Sequence, residues 1–319
     1  MKVIVISNAL KTRHKEKIES VAAKAGYRIC FCEKESEVPD DFADAEIIYG
    51  NAPSIVRTSH NLKWLCMPFA GVDSLLKPGA FANEECILTN SSGAYGVSIA
   101  EHIIAVSLMM MRKLTVFYSH VLQGEWISPR PQKSLKDCRI TVLGTGDIGT
   151  CFAKRARSFE PAKIVGVCRS GKADDTCYDS VVTADKLDQI LPDTDLLVMS
   201  LPDTPQTVNI MSGDRLALLP KEAYIVNVGR GSAIDEEALA DLLDKEMLAG
   251  AALDVFRTEP LPKDSRLWKT KNLLITPHVA GNLTVEHTLD KNVDMFCEDL
   301  ENYASGRPLV YLVDRKKGY

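Results

Sequence analysis

Short runs rich in valine and isoleucine, separated by helix-like stretches, recur along this chain in two series, and that alternation constrains the fold more than anything else in the sequence. The first series comprises Lys2–Ser7, Arg28–Cys32, Glu46–Gly50, Lys63–Met67 and Cys86–Asn90. The second comprises Arg139–Gly144, Lys163–Cys168, Asp195–Ser200, Ala223–Val228, Ala251–Val255 and Leu273–Thr276. Strands that alternate with helices make parallel sheets covered on both faces, so two doubly wound α/β units are predicted. Length agrees, because 319 residues exceed what one core usually supports.

Charge and cysteine usage narrow the function classes. A formal net charge of -5 without a basic block excludes a nucleic-acid footprint, and Arg315-Lys316-Lys317 reads as a solvated tail. The apolar run Lys2–Ser7 is too short for a signal-peptide core or a membrane span. Nine scattered cysteines without a C-x-x-C pair imply reduced thiols, a cytoplasmic chain and no metal site. Ser98-Ile-Ala-Glu101 reads as a capping box that opens a crossing helix. Val285, Leu289, Val293, Phe296, Leu300 and Tyr303 repeat at helical spacing and predict a long amphipathic helix that returns to the first unit. His102 is read as packing at a domain seam, and His14, His60, His120 and His287 as polar surface.

The glycine loop Gly144-Thr-Gly146-Asp147-Ile148-Gly149 follows a strand and precedes a predicted helix, Ile148–Phe159, the setting in which a G-x-G-x-x-G sequence cradles a dinucleotide. Gly144 permits the tight turn, Gly146 lets the backbone approach a pyrophosphate, and Gly149 lets helix pack on strand. Roughly twenty residues on, an NAD-selective domain places an acid that holds the ribose hydroxyls. Here stand Cys168-Arg169-Ser170-Gly171-Lys172. Arg169 can fork a 2′-phosphate, Ser170 can donate to it and Lys172 adds charge, so NADP is the preferred cofactor and NAD the alternative.

Downstream, NVGR ends at Arg230, DVFRTEP holds Glu259, and TPH ends at His278. A guanidinium to clamp a carboxylate, an imidazole to carry a proton and a carboxylate to hold that imidazole are what hydride transfer to a 2-oxo acid needs. With VLGTGDIG, SLPDTPQT, NVGRGS, DVFRTEP and TPHVAGN in this order, the chain resembles the D-isomer-specific 2-hydroxyacid dehydrogenases over essentially its whole length. The central position of the glycine loop separates it from the L-lactate and L-malate dehydrogenases.

The resemblance implies a flavodoxin-like substrate domain, residues 1–97 completed by 286–319, and a Rossmann dinucleotide domain, residues 98–285, with a cleft between them. It implies Arg230 as the residue that binds the substrate carboxylate and polarises the oxo group. His278 is then the acid/base, and Glu259 pairs with it, raising its pKa and orienting it. Asp254 is implied at the nicotinamide end, and Pro202, Thr207, Val228, Gly229 and Gly281 as further cofactor contacts. The loop Phe69-Ala70-Gly71-Val72-Asp73 resembles the carboxylate-binding turn, whose donors would be the amides of Ala70 and Gly71. Tyr95 departs from the pattern expected in that hinge and either narrows the pocket and donates to substrate or packs the hinge. Met67, Pro68 and Phe69 disfavour a phosphorylated substrate.

The expected activity is reduction of a small 2-oxo acid of the glyoxylate or hydroxypyruvate type to the D-hydroxy acid. The resemblance also implies a homodimer through the dinucleotide domain, with the crossing helix and the segment Val121–Pro131 supplying an exchanged arm. Two alternatives stay open: a phosphoglycerate-type dehydrogenase, which the Cys168-Arg169-Ser170 segment fits poorly, and a dinucleotide-sensing binding protein of the corepressor kind. Measurable turnover separates the enzyme from the sensor.

Overall fold

The computed structural model describes residues 1–173 and 176–318, so Tyr319, the end of the predicted C-terminal segment, lies outside it. The chain divides into two compact units: Met1–Tyr95 with Asn282–Tyr319, and Gly96–Gly281.

In the first unit, strands β1 (Lys2–Ile6), β2 (Arg28–Cys32), β3 (Ile47–Tyr49), β4 (Trp64–Cys66) and β5 (Ile87–Thr89) form a parallel sheet in the order β2-β1-β3-β4-β5. Successive side chains of β1 point to opposite faces, so Val3 and Val5 enter one core cluster and Ile4 and Ile6 the other. Helices α1 (Thr12–Lys24) and α9 (Glu286–Ala304) cover the Val3 face, where Leu289, Val293, Phe296 and Leu300 pack onto Tyr49 and Trp64. The helical repeat that predicted α9 is thus its buried stripe. The opposite face receives α2 (Pro53–Thr58) through Val56.

His14 corrects the sequence reading. It is 3% exposed rather than surface: Nδ1 accepts the Lys11 amide (3.1 Å) and Nε2 donates to Asp290 Oδ1 (2.7 Å). The ring therefore caps α1 and ties it to α9, a contact across 276 residues that no local pattern announces.

The second unit begins with α3 (Gly96–Met111) and α4 (Leu114–Val121). Its sheet contains β6 (Arg139–Leu143), β7 (Lys163–Val167), β8 (Ser180–Val182), β9 (Leu196–Met199), β10 (Tyr224–Asn227), β11 (Gly250–Leu253) and β12 (Leu273–Ile275). All seven are parallel, in the order β12-β11-β10-β9-β6-β7-β8. The remaining helices are α5 (Asp147–Ala156), α6 (Leu187–Ile190), α7 (Gly213–Leu216) and α8 (Glu236–Asp244). Leu143, Leu197, Met199, Ile225 and Leu253 form one sheet face and pack against Leu187, Leu216, Leu239 and Leu243 of α6, α7 and α8. On the other side α3 packs on α5, β10 and β11.

Two local expectations change. Strand β8 was not foreseen, because its three residues are all half-buried at the sheet edge and carry no periodicity. The crossing helix starts at Gly96, so Ser98 is a buried residue inside its first turns rather than its cap. What stands at that start is Asp147 of α5: a Cβ on Gly96 would lie 2.5 Å from its Oδ1.

Candidate active site

In the second sheet the strand order reverses at β6, which pairs with β7 on one side and β9 on the other. A crevice at the carboxyl end of such a switch point is where doubly wound sheets bind ligands, and the glycine loop occupies that end. Gly144 adopts φ +98°, a left-handed conformation that lets the chain turn back beneath Ser200. At Gly149 a Cβ would sit 1.9 Å from the Gly144 carbonyl oxygen, so only glycine lets α5 approach the loop. Gly146 differs from both, because a Cβ there would meet nothing within 4 Å. Its backbone borders open space at the start of α5, where no side chain caps the helix amides. Uncapped amides, the positive helix end and room for an anion fit a pyrophosphate. Ile148 is half-buried in the first turn, and Asp147 is turned toward Gly96.

At the end of β7, Arg169, Ser170 and Lys172 are exposed. The Ser170 hydroxyl donates to the Lys172 carbonyl (3.0 Å) and accepts the Lys172 amide (3.3 Å), folding the segment into a tight turn. Cys168 within this turn was not singled out from the sequence. Burial would raise its thiol pKa, yet hydrogen bonding with the Ser170 and Thr145 side chains and with the backbone of Lys172 and Gly171 outweighs burial and lowers it.

The loops after β9 and β10 hold one another. Thr207 Oγ1 donates to the Pro202 carbonyl (2.6 Å) and accepts the Thr204 amide (2.9 Å), so its hydroxyl shapes the loop that carries Pro202. Gly229 abuts this loop, since a Cβ there would lie 2.6 Å from the Leu201 amide nitrogen, and Val228 is buried beside it. Asn227, fully buried and missed in the sequence, folds the Arg230 turn. Its Oδ1 accepts the Gly229 amide (3.1 Å) and its Nδ2 donates to the Arg230 carbonyl (2.9 Å). Arg230 is half-buried, and its Nη1 donates to the Gly229 carbonyl at 2.8 Å.

Beyond β11 and β12 the acidic and imidazole groups come together. His278 Nδ1 lies 2.6 Å from Glu259 Oε2, and Glu259 Oε1 accepts the Phe256 amide (2.8 Å), which fixes the carboxylate. The ring of His278 is exposed, on a backbone with φ +54°. That left-handed conformation is unfavourable for a non-glycine residue and needs outside support. Asp254 supplies it. Only 2% exposed, Asp254 accepts the Val279 amide (2.9 Å) and the Ala280 amide (3.0 Å) on its carboxylate, and the His278 amide (2.9 Å) on its backbone carbonyl. Gly281, half-buried, follows this loop. The Thr276 hydroxyl adds a third bond to the Asp254 carboxylate (2.6 Å), and His102 Nε2 of α3 reaches Thr276 Oγ1 at 3.3 Å. Burial lowers the His102 pKa, with the Asp254 charge pulling the other way.

In the first unit, the Ala70 carbonyl accepts Asn90 Nδ2 (2.7 Å) and the Phe69 carbonyl accepts the Ser91 amide (3.2 Å). Ala70 and Gly71 are half-buried and Phe69 is exposed. Tyr95 is 5% exposed and its hydroxyl donates to the Pro68 carbonyl, with Asn292 Nδ2 at 3.4 Å. Burial pushes that phenol up. Among the described residues no cluster of metal-ligating side chains occurs, and no helix is long and apolar enough to cross a membrane.

Residues 104–280 match the family model of the D-isomer specific 2-hydroxyacid dehydrogenase NAD-binding domain. The chain is 31% identical to the glyoxylate reductase of Thermofilum pendens over 71% of its own length and 68% of that protein's. Its fold matches a D-isomer specific 2-hydroxyacid dehydrogenase family protein from Aeromonas salmonicida, with TM-score 0.87, 30% identity, and coverage of 98% and 99% of the two chains. An NADPH-dependent glyoxylate/hydroxypyruvate reductase from Sinorhizobium meliloti, solved with NADP and sulfate, matches with TM-score 0.78 and 26% identity, covering 100% of this chain and 99% of that one.

Proposed function

This chain belongs to the D-isomer-specific 2-hydroxyacid dehydrogenase family, and we propose that it reduces a small 2-oxo acid of the glyoxylate or hydroxypyruvate type to the D-2-hydroxy acid, preferring NADPH and accepting NADH. The observation that carries this reading is the His278–Glu259 pair at 2.6 Å, with Arg230 in the same unit. The names of the Thermofilum and Sinorhizobium relatives support the substrate class.

When bound, the reduced nicotinamide supplies the hydride. Everything else falls to side chains. Glu259 occupies Nδ1 of His278, which leaves Nε2 to give a proton to the oxygen on which charge builds. The same nitrogen takes the proton back in the reverse direction. Arg230 polarises the oxo group and pairs with the substrate carboxylate, where a guanidinium offers two parallel donors. Arg169, Ser170 and Lys172, exposed at the end of β7, take the 2′-phosphate of NADPH.

Oxidation of NADPH and NADH, followed by loss of the reduced-nicotinamide absorbance with glyoxylate, hydroxypyruvate, pyruvate and larger 2-oxo acids, tests the reading directly. Failure of every pair despite tight NADPH binding would favour a dinucleotide-sensing protein. Arg169→Asp tests the phosphate site: losing a charge-assisted fork and gaining repulsion should weaken NADPH by about tenfold to a hundredfold while sparing NADH. Unchanged discrimination between the two cofactors would remove Arg169 from that role.

A cytoplasmic homodimer belongs to the same proposal. Along α4 and the segment after it, Leu114, Tyr118, Val121 and Leu122 are exposed, and Trp126 is 100% exposed. An apolar stretch of this kind suits burial against a second copy.

A further inference from the structure

The groups that hold the His278 loop extend farther than the catalytic trio. The Thr276 hydroxyl has a single proton, and at 2.6 Å from a buried carboxylate that proton points to Asp254 Oδ1. Its oxygen can then only accept from His102 Nε2, 3.3 Å away, which places the His102 proton on Nε2. Burial favours the uncharged imidazole at this position, consistent with a donor that adds no charge beside Asp254. Asp254 in turn brackets the loop, its carboxylate holding residues 279 and 280 and its carbonyl holding His278, whose φ is +54°. The order of bonds is His102 to Thr276 to Asp254 to the backbone of the proton-carrying residue.

We infer that Thr276, with its hydroxyl oriented by His102, is a positioning residue for His278: it fixes the direction in which Asp254 holds the left-handed turn and hence the aim of the imidazole. This rests on the proposed acid/base role of His278. Neither Thr276 nor His102 is among the proposed cofactor contacts, so their removal should act on turnover more than on affinity. Small misplacements of a proton donor are costly in rate, because the reacting atoms must meet at close to hydrogen-bond distance.

The test compares Thr276→Val, which keeps the shape and removes the hydroxyl, with Thr276→Ser, which restores it. Thr276→Val should lower kcat by about tenfold to a hundredfold, the factor expected for losing a hydrogen bond to a charged group, with KM for NADPH unchanged. Thr276→Ser should recover most of the loss. His102→Gln keeps an N–H donor and His102→Leu removes it, so the first should retain more turnover than the second; this pair carries the test if Thr276→Val does not fold. A Thr276→Val enzyme with undiminished kcat, a loss expressed mainly in KM for NADPH, absence of rescue by serine, or equal behaviour of the two His102 variants would each overturn the inference. His278→Asn run alongside keeps the two readings apart. An active His278→Asn enzyme defeats the acid/base role itself, whereas an inactive one beside a fully active Thr276→Val enzyme defeats only the positioning role.

Discussion

His278→Asn should lower kcat by roughly two to four orders of magnitude with NADPH and glyoxylate or hydroxypyruvate, while NADPH binding stays intact. The choice of asparagine is dictated by the backbone. Position 278 adopts φ +54°, and asparagine enters the left-handed region more readily than most residues, so the substitution removes the imidazole without adding strain. The amide of residue 278 can still donate to the Asp254 carbonyl, and the loop should keep its course. Glu259→Gln makes the informative partner, because it retains a polar group near Nδ1 but removes the carboxylate that holds the ring. Its loss should be smaller than that of His278→Asn. Steady-state rates and NADPH titration by fluorescence measure both quantities. A His278→Asn enzyme within tenfold of the parent would show that another group supplies the proton.

Gly149→Ala should abolish dinucleotide binding and destabilise the second unit. Its Cβ would sit 1.9 Å from the Gly144 carbonyl oxygen, a backbone atom that no rotamer change can move aside. Either α5 shifts off the sheet or the glycine loop opens, and overpacking of this kind costs about 1–3 kcal/mol or more. Gly146→Ala separates stability from binding. A Cβ there has open space around it in the free protein, so melting should be unaltered, yet the methyl group would stand in the space proposed for the pyrophosphate. Thermal melts with and without NADPH read both effects. Tight NADPH binding by Gly146→Ala would remove the pyrophosphate from that loop, and an unchanged melting temperature for Gly149→Ala would contradict the packing described for α5.

Both experiments use residues visible as motifs, and this marks how far the sequence reaches. Continuous apolar runs sufficed to show two parallel sheets, because a strand buried on both faces must be apolar on both faces. The stripe from Val285 to Tyr303 sufficed to predict α9, and the glycine spacing to place a turn between β6 and α5. The NVGR, TEP and TPH segments pointed to Arg230, Glu259 and His278 because each motif is contiguous.

Tertiary structure decided the rest. It buried Tyr95 and turned its hydroxyl to Pro68, tied His14 to Asp290, and used Asp147 at the start of α3. It added β8 at the edge of the second sheet. It also joined His102 to Thr276, 174 residues apart, and Thr276 to Asp254. These outcomes share a physical reason. Periodicity and turn chemistry are properties of neighbouring residues, so they can be read along the chain, whereas a buried polar group must find a partner wherever the packed sheets bring one within hydrogen-bond distance.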